Sequence, residues 1–284
     1  QTGNVDFCIA SSTIVDHVKN SRTVRFLGLP PAGFQILPLN TKQGVLADAR
    51  VRRALSAALN RTELTNVVSP VARVVRGPMP LNSPFLNARI GQPDNDPALA
   101  DRLLNSAGWT RRDGPIRVNA AGQPLRVSVV APQQAAPVMT AIQAQWRRAG
   151  VDLDLRMMEF AAFMGVVQNP ATRPEATILG WFIDRVLTPD LFNQLHSKSP
   201  MNLSAFANPR ADSALEQLRI VTREADRRAL YDLVQTIVAE EVPNIYVMHT
   251  PRIGVLGPRL QGVQFDQNGA FATLTQWRVT GRPR

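Results

Sequence analysis

Cysteine is almost absent from this chain of 284 residues, since Cys8 is its single thiol. No internal disulfide can form, and we expect Cys8 to act as a small buried hydrophobic residue. Histidine is scarce too: His17, His196 and His249 stand far apart, and none has a second His or Cys at metal-ligand spacing. No apolar run approaches the roughly 20 residues that a membrane helix needs. The sequence therefore predicts no metal site, no cofactor and no membrane insertion.

Catalytic motifs are missing as well. The sequence contains no G-x-S-x-G element, no P-loop and no G-x-G-x-x-G turn. Glu240 and Glu241 are adjacent carboxylates, but consecutive residues of a helix point in different directions, so they do not form an acid–base pair. These absences favour a binding protein over an enzyme.

The charge is strongly one-sided, with 32 Lys and Arg against 22 Asp and Glu and a net charge of +10. Such a charge balance is typical of proteins that bind nucleic acids. The arginines are spread along the chain, however, and no aromatic residues interleave with their densest pairs as a base-stacking surface would require. Those pairs, all on predicted exposed helix faces, are Arg52-Arg53, Arg147-Arg148 and Arg227-Arg228. We interpret the charge as a solvated basic surface and expect no nucleic-acid partner.

Hydrophobic periodicity predicts an α/β chain. Asp48 and Asp96 stand at the N-caps of predicted helices, and residues 69–95, rich in Pro, Asn and Gly, are predicted to run over the surface. Helices alternate with single strands between strand-rich ends, which is typical of an α/β domain whose termini return to a second unit. Predicted helices cover residues 48–68 with a break at 60–62, 96–107, 135–148, 160–167, 189–196, 209–221 and 223–241.

One segment carries a candidate binding site. The apolar run Thr177–Leu179 is a predicted buried strand that ends in Gly180-Trp181, with a lone acid, Asp184, shortly before Pro189. An aromatic ring beside one carboxylate suits a cationic, partly apolar ligand, because desolvation strengthens a charge-assisted hydrogen bond. From the residues alone, Trp181 could equally close a hydrophobic core, and Asp184 could cap the following turn.

The segment Asp48–Arg61 resembles the signature helix of the family 5 extracellular solute-binding proteins, the dipeptide-, oligopeptide- and nickel-binding components of ABC importers. Further matches follow in order along essentially the whole chain, and short motifs in the right order are far more specific together than any one alone. They are Asn40, Ala100–Trp109 with Asp113-Gly114, Gly150–Leu153, Gly180-Trp181 with Asp184 and Pro189, Met201-Asn202 with Asn208-Pro209 and Asp212, Arg227–Tyr231, and Glu241–Pro243.

The resemblance implies an α/β, periplasmic-binding-protein-like fold of class II, cluster C type, with two lobes hinged around a cleft. Family members are much longer than 284 residues, and Gly3–Asp6 resembles a segment well inside their first lobe. This chain, which opens without Met, is therefore expected to be a C-terminal portion: the second lobe plus the C-terminal return into the first. The expected domains are residues 1–36, the end of the first-lobe segment and the first crossover; 37–247, the second α/β lobe; and 248–284, the return crossover and the C-terminal strands of the first lobe.

The resemblance also implies ligand-binding residues. In peptide-binding members, the acid after the Gly-Trp motif pairs with the α-amino group of the peptide, and Asp184 matches that acid. Trp181 and Phe182 would line the cleft beside it, next to Gly180. The stretch Asp184–Pro189 is one residue longer than in the typical members.

Three further residues complete the predicted ligand-binding set. Asn40 precedes the signature helix, and His249 matches a cleft-edge position near the return crossing, where it would contact ligand or hinge. Oligopeptide binders can carry an arginine two positions before the Gly-Trp motif, but this chain has Ile178 there. The resemblance therefore supports no carboxylate anchor at that position, and Arg185 is a candidate substitute.

The function that the resemblance implies is that of a periplasmic, monomeric binding protein that captures short peptides and delivers them to the permease subunits of an ABC transporter. Two alternatives stay open. The same fold could bind a non-peptide solute, such as a nickel chelate, an opine or an oligosaccharide, or it could serve as the sensor domain of a regulator.

Overall fold

The computed structural model describes residues 5–10, 20–21, 23–29, 33–68, 72–169, 171–182, 190–249, 252–264 and 273–281. Its strands are β1 Phe7–Ala10, β2 Arg25–Leu29, β3 Gly33–Pro38, β4 Arg73–Val74, β5 Arg126–Pro132, β6 Asp152–Met158, β7 Ala176–Thr177, β8 Leu179–Phe182, β9 Asn244–His249, β10 Arg252–Leu256, β11 Leu260–Gln261 and β12 Arg278–Val279. Its helices are α1 Ala49–Ala57, α2 Arg61–Val68, α3 Pro97–Ser106, α4 Ala136–Arg148, α5 Phe160–Gln168, α6 Leu191–Leu195, α7 Pro209–Leu218 and α8 Glu224–Glu241, with 3-10 turns at Gly44–Ala47, Gln133–Ala135 and Leu274–Gln276. This alternation confirms the predicted α/β class.

Three parallel strands form one half of the main sheet, in the order β6-β5-β7. Helix α4 carries the chain from β5 to β6, and α5 follows β6. β5 and β6 pair along their full lengths, from Arg126 opposite Asp152 to Pro132 opposite Met158. The carboxyl ends of these strands meet at one edge of the sheet, which is where open α/β sheets hold their ligands.

The other half of the main sheet is antiparallel, in the order β4-β9-β3-β8. Leu39 lies opposite Ala176, and Ile36 lies opposite Leu179, three residues away along each chain. β7 and β8 are therefore two parts of one run that faces β3 in a single register. This run joins the two halves into one continuous sheet.

Capping residues set two helix starts as the sequence predicts. The carboxylate of Asp48 accepts a hydrogen bond from the Arg50 amide at 2.8 Å and caps α1. Asp96 accepts from the Leu99 amide at 2.8 Å and caps α3, whose first residue is Pro97. These caps satisfy amides that the helices themselves leave without partners.

The two faces of the main sheet are covered by separate apolar clusters, because successive strand residues point to opposite faces. The larger cluster joins α1 to α4 to one face and includes the fully buried Trp146. The second cluster joins α6, α7 and α8 to the other face around Phe34 and Tyr246. A third, smaller cluster holds α5 against the end of β5 through Val130 and Phe163.

The surface course predicted for residues 69–95 is wrong for much of that segment. Val75, Met79 and Gln92 are almost completely buried, and β4 adds a strand to β9. The Gln92 carboxamide also donates to the Asn244 carbonyl at 2.6 Å. The segment therefore covers polar backbone groups of β9. The Pro- and Gly-rich composition of residues 69–95 does not indicate this burial.

Two single-residue predictions are also wrong. Arg52, expected on an exposed helix face, is 2% exposed, because its guanidinium reaches the Glu241 carbonyl and the Leu46 carbonyl, each at 2.8 Å. Cys8, expected to be buried, is exposed on β1.

A smaller sheet is antiparallel and has the strand order β1-β10-β2, while β11 pairs with β12. β3 runs through the predicted domain boundary at residues 36 and 37, and β9 runs through the boundary at 247 and 248. Both strands belong to the main sheet, and the division into lobes stays a prediction. Among the described helices, none has the length and apolarity required to cross a membrane.

Candidate functional site

Trp181 lies in a row of four residues that crosses the antiparallel half of the main sheet. It is opposite Phe34 of β3, which is opposite His249 of β9, which is opposite Arg73 of β4. The rings of Phe34 and His249 lie with their centroids 4.9 Å apart. Trp181 is 8% exposed and packs in the second apolar cluster with Phe34. Trp181 is thus a core residue in this structure, and its burial fixes the end of β8 against β3.

His249 uses both of its ring nitrogens inside the protein. Nε2 accepts a hydrogen bond from the Leu81 amide at 3.1 Å, and Nδ1 lies 3.3 Å from the Gly33 carbonyl oxygen. Because a carbonyl can only accept, Nδ1 carries the proton and the ring is neutral. Burial lowers the pKa of His249, and the hydrogen bond to Gly33 partly opposes that shift. The ring therefore ties the first residue of β3 to the last residue of β9.

The outer edge of β8 is unpaired within the described part of the chain. The ladder between β5 and β7 stops at Val130 and Thr177, although β5 continues to Pro132. β8 continues to Phe182, and among the described strands only β3 pairs with it there. Backbone N–H and C=O groups of residues 180–182 that point away from β3 can therefore pair with another extended chain.

Gly180 leaves the sheet open on the face opposite Trp181. It is exposed, it lies opposite Gln35, and an added Cβ would meet nothing nearer than the Phe34 carbonyl oxygen at 4.0 Å. A glycine inside a strand often marks the approach of a ligand or another backbone. Among the described residues, nothing donates to the buried carboxamide oxygen of Gln35. The two residues together leave space and a hydrogen-bond acceptor at this point.

Asn40 lies at the opposite end of β3. It is six residues from Phe34, which corresponds to about 20 Å of extended strand. Its amide donates to the Glu175 carbonyl at 2.7 Å, and its side-chain oxygen accepts from the Lys42 amide at 3.1 Å. The structure therefore does not bring Asn40 to Trp181, and the contacts of Asn40 hold a turn.

The predicted charged residues of the site lie outside the described residues. Asp184 and Arg185 fall within residues 183–189, and the side chain of Phe182 is not described either. The backbone of Phe182 ends β8 opposite Gly33. The two charged residues follow the open strand edge directly in the chain, and their roles stay predictions.

Arg61 belongs to a set of buried arginines that sequence reasoning missed, together with Arg52 and Arg117. The Arg61 side chain is 0% exposed, and its guanidinium donates to the Tyr246 carbonyl at 2.6 Å and to Ser56 Oγ at 2.9 Å. Asp94 supplies the countercharge at 3.1 Å. Burial lowers the pKa of Arg61, and the Asp94 carboxylate opposes that shift. Because Tyr246 is 185 residues away along the chain, no local pattern signals this contact.

His196 is buried and also has both nitrogens engaged. Nδ1 accepts from the Lys198 amide at 3.2 Å, so Nε2 carries the proton toward the Glu216 carboxylate, also at 3.2 Å. Its ring stacks on Phe192 at 4.2 Å between centroids. Within the described ranges, no group of three or more His, Cys, Asp or Glu side chains is placed to hold a metal ion.

Comparison with known sequences gives one family. Residues 1–202 match the sequence model described as bacterial extracellular solute-binding proteins, family 5 middle. The oligopeptide-binding protein AppA of Bacillus subtilis is 18% identical over 98% of this chain and 52% of its own length. Heme-binding protein A of Haemophilus influenzae is 26% identical over 92% of this chain and 48% of its own length. The chain thus spans about half the length of these curated relatives.

Solved structures share the fold. AppA from Bacillus subtilis in complex with a nonapeptide has a TM-score of 0.83 at 18% identity, over 98% of this chain and 57% of that chain. NikZ from Campylobacter jejuni in complex with Ni(L-His) has a TM-score of 0.83 at 21% identity, over 97% of this chain and 58% of that chain. The predicted fold, periplasmic-binding-protein-like α/β, is confirmed. One neighbour holds a peptide and the other a metal complex, so the ligand class has to be argued from this chain's own geometry.

Proposed function

The chain belongs to the family 5 extracellular solute-binding proteins, and we propose that it is the ligand-binding second lobe of a protein that captures short peptides for an ABC transporter. The family consists of binding proteins rather than enzymes. The proposal includes a periplasmic location, a monomeric state, transporter permease subunits as partners and no nucleic-acid partner.

The open edge of β8 carries the proposal. An extended peptide presents alternating N–H and C=O groups, and residues 180–182 present the same pattern on the side away from β3. Pairing along this edge binds the ligand through its backbone and leaves its side chains free to vary. A peptide matches such an edge better than a sugar or a metal chelate, because neither carries a repeating amide ladder.

The predicted ligand residues take distinct roles along this edge. Gly180 leaves room on the exposed face, and Trp181 holds the strand end from the core. Phe182 lines the cleft beside it in this proposal, as the family resemblance implies. Asp184 pairs with the α-amino group of the peptide, as the family resemblance implies, and Arg185 lies next to it as the candidate carboxylate anchor. In the sequence, these two charged residues follow the strand end directly, and in this proposal they set the position of the bound chain.

Asn40 and His249 act indirectly in this scheme. His249 holds the start of β3 and the end of β9, where the chain passes between the lobes, through its hydrogen bonds to Gly33 and Leu81. Asn40 fixes the turn that leads toward α1. We place the two crossings where β3 enters and β9 leaves the main sheet, so His249 supports the geometry of cleft closure, whereas Asn40 supports the far end of β3.

Replacement of Asp184 by Asn tests the function in the full gene product. The wild-type protein should bind tri-alanine, and N-acetylation of that peptide or the Asp184→Asn substitution should each weaken binding well over tenfold, because a buried charge pair is worth roughly 2–5 kcal/mol. Isothermal titration calorimetry measures both losses. Once Asp184 is replaced, acetylation should have little further effect, since both changes remove the same pair.

Asp190→Asn is the matched control. Asp190 is exposed, and it caps α6 by accepting from the Asn193 amide at 3.0 Å, a role that Asn can also fill. This variant should bind tri-alanine like the wild type. A protein that binds no peptide but binds a nickel complex or heme, as the names of two relatives suggest for those proteins, would contradict the peptide proposal and keep the family.

A further inference from the structure

The ring of His249 joins three segments that meet where the chain enters and leaves the main sheet. His249 is the last residue of β9, and its Nδ1–H donates to the carbonyl of Gly33, the first residue of β3. Its Nε2 accepts from the amide of Leu81, which lies in the loop that follows β4. A change in the protonation of this one ring therefore acts on all three segments.

Only the neutral ring fits both hydrogen bonds. A protonated imidazole carries a hydrogen on each nitrogen and can only donate. Its Nε2–H would then face the N–H of Leu81, and the hydrogen bond between these nitrogens, 3.1 Å long, would be lost. The contact with Gly33 would remain, because Nδ1 donates in both states. Protonation therefore releases the loop after β4 and keeps the link between β3 and β9.

The groups around His249 do not favour its protonated form. Arg73 of β4 lies opposite it in the sheet, and a nearby cation opposes a second positive charge. β3, β8 and residues 79–82 contain no ionisable side chain. Tyr246, the other titratable residue of β9, stays neutral because burial raises its pKa. Burial lowers the pKa of His249, so the ring takes up a proton only in acid.

The row of residues that contains His249 ends at the open edge of β8. Its ring packs on Phe34, with centroids 4.9 Å apart, and Phe34 lies opposite Trp181. The loop that bonds to His249 also reaches this region, since Met79 is buried in the same apolar cluster as Phe34 and Trp181. Release of the loop therefore removes packing support from the strand end at which we propose that a peptide binds.

We propose that His249 is a pH-sensitive switch: the neutral ring keeps the end of β8 ready to bind a peptide, and protonation loosens it and promotes release. This inference rests on the proposed peptide-binding function. A bound peptide orders the end of β8, so the bound protein keeps the Leu81 hydrogen bond and takes up a proton less readily than the free protein. The affinity should therefore be constant well above pH 6.5, the ordinary pKa of histidine, and should fall as the pH drops toward the lowered pKa.

Calorimetric titration of the full gene product with tri-alanine, at about pH 7 and about pH 5, tests the switch. Between these values the peptide ends change charge little, since their ordinary pKa values are about 8 and about 3.5. The wild-type affinity should fall by at least about threefold. In His249→Gln most of this fall should disappear, because glutamine can accept from Leu81 and donate to Gly33 at both pH values.

Two variants of Leu81 test the hydrogen bond itself. Leu81→Pro removes the amide hydrogen that His249 accepts. Its affinity at about pH 7 should already be low, and little further fall should follow in acid. Leu81→Ala keeps the amide and changes only a side chain that is 47% exposed, so it should show the wild-type ratio of affinities between the two pH values. This pair tests the proposal even where His249→Gln does not fold.

His196→Gln is the matched control. His196 is also buried, but the Glu216 carboxylate lies 3.2 Å from its Nε2 and offsets a positive charge on the ring. This variant should show the wild-type fall. An equal wild-type affinity at both pH values, or a full fall in His249→Gln or Leu81→Pro, would overturn the switch and leave the peptide function standing. Wild-type protein that binds no tri-alanine at either pH would overturn both.

Discussion

The signature segment Asp48–Arg61 buries and pairs its polar groups, whereas the strand end Leu179–Phe182 leaves backbone groups without a described partner. In the signature segment, Arg52 and Arg61 are buried, and their guanidinium groups donate hydrogen bonds to carbonyl groups far away in the chain. At the strand end, the described backbone edge has no ladder partner, and Gly180 leaves one face open. The first region holds the main sheet and its helices together, and we propose that the second is left free to meet a ligand. This difference between the two regions explains how proteins that share the family's scaffold can hold different ligands.

Arg61→Met is the substitution expected to have the largest effect on the first region. It removes a buried charge but leaves Asp94 and the Tyr246 carbonyl without their partner. Breaking a buried pair in this way typically costs about 3–5 kcal/mol in the free energy of unfolding. Urea denaturation of the full gene product, followed by circular dichroism, measures the loss.

Arg148→Met provides the contrast for Arg61. The side chain of Arg148 is 67% exposed and lies 3.5 Å from the Glu63 carboxylate. Exposed pairs of this kind contribute little to stability, so the midpoint of unfolding should not move measurably. Equal effects of the two substitutions would show that Arg61 does not hold the scaffold, and the contrast between the two regions would fail.

Gly180→Val tests the open strand end. A Cβ at position 180 meets no atom closer than 4.0 Å, and valine suits strand backbone, so the free energy of unfolding should change by less than about 1 kcal/mol. A branched side chain on the exposed face would obstruct the bound chain. Tri-alanine affinity should therefore fall by at least about tenfold, which corresponds to roughly 1.4 kcal/mol.

Gly28→Val is the matched control, since Gly28 is another exposed strand glycine with no atom within 4 Å of an added Cβ. It should keep the wild-type affinity. If Gly180→Val instead lost stability and kept its affinity for tri-alanine, Gly180 would belong with the scaffold.

His249→Gln should have the smallest effect on how stability depends on pH, and that effect should appear only in acid. Burial lowers the pKa of His249 in the folded protein below the unfolded value of 6.5. The folded state thus binds a proton less readily than the unfolded state, so this contribution is complete above pH 6.5 and is lost as pH falls toward the lowered pKa. Urea midpoints measured between pH 7.5 and about pH 5 should fall more steeply for wild type than for His249→Gln. Parallel curves for the two proteins would contradict the buried, neutral assignment.

The elements that sequence could predict are those whose signals are local. Asp48 and Asp96 cap helices through neighbouring amides, and alternation along β6 shows which face is buried. The buried arginines could not be predicted in this way, because their acceptors lie on strands and helix ends far along the chain. The resemblance to a family indicates the candidate ligands, and long-range strand pairing forms the edge on which we propose that a peptide binds.

Native mass spectrometry of the full gene product, purified from its own host, is the decisive test of peptide binding. An open strand edge that binds backbone and tolerates many side chains should retain a mixture of short peptides. We therefore predict a mass excess that resolves into several peptides of similar length and is lost in Asp184→Asn. A single non-peptide adduct of fixed mass, retained in that variant, would contradict the proposed function.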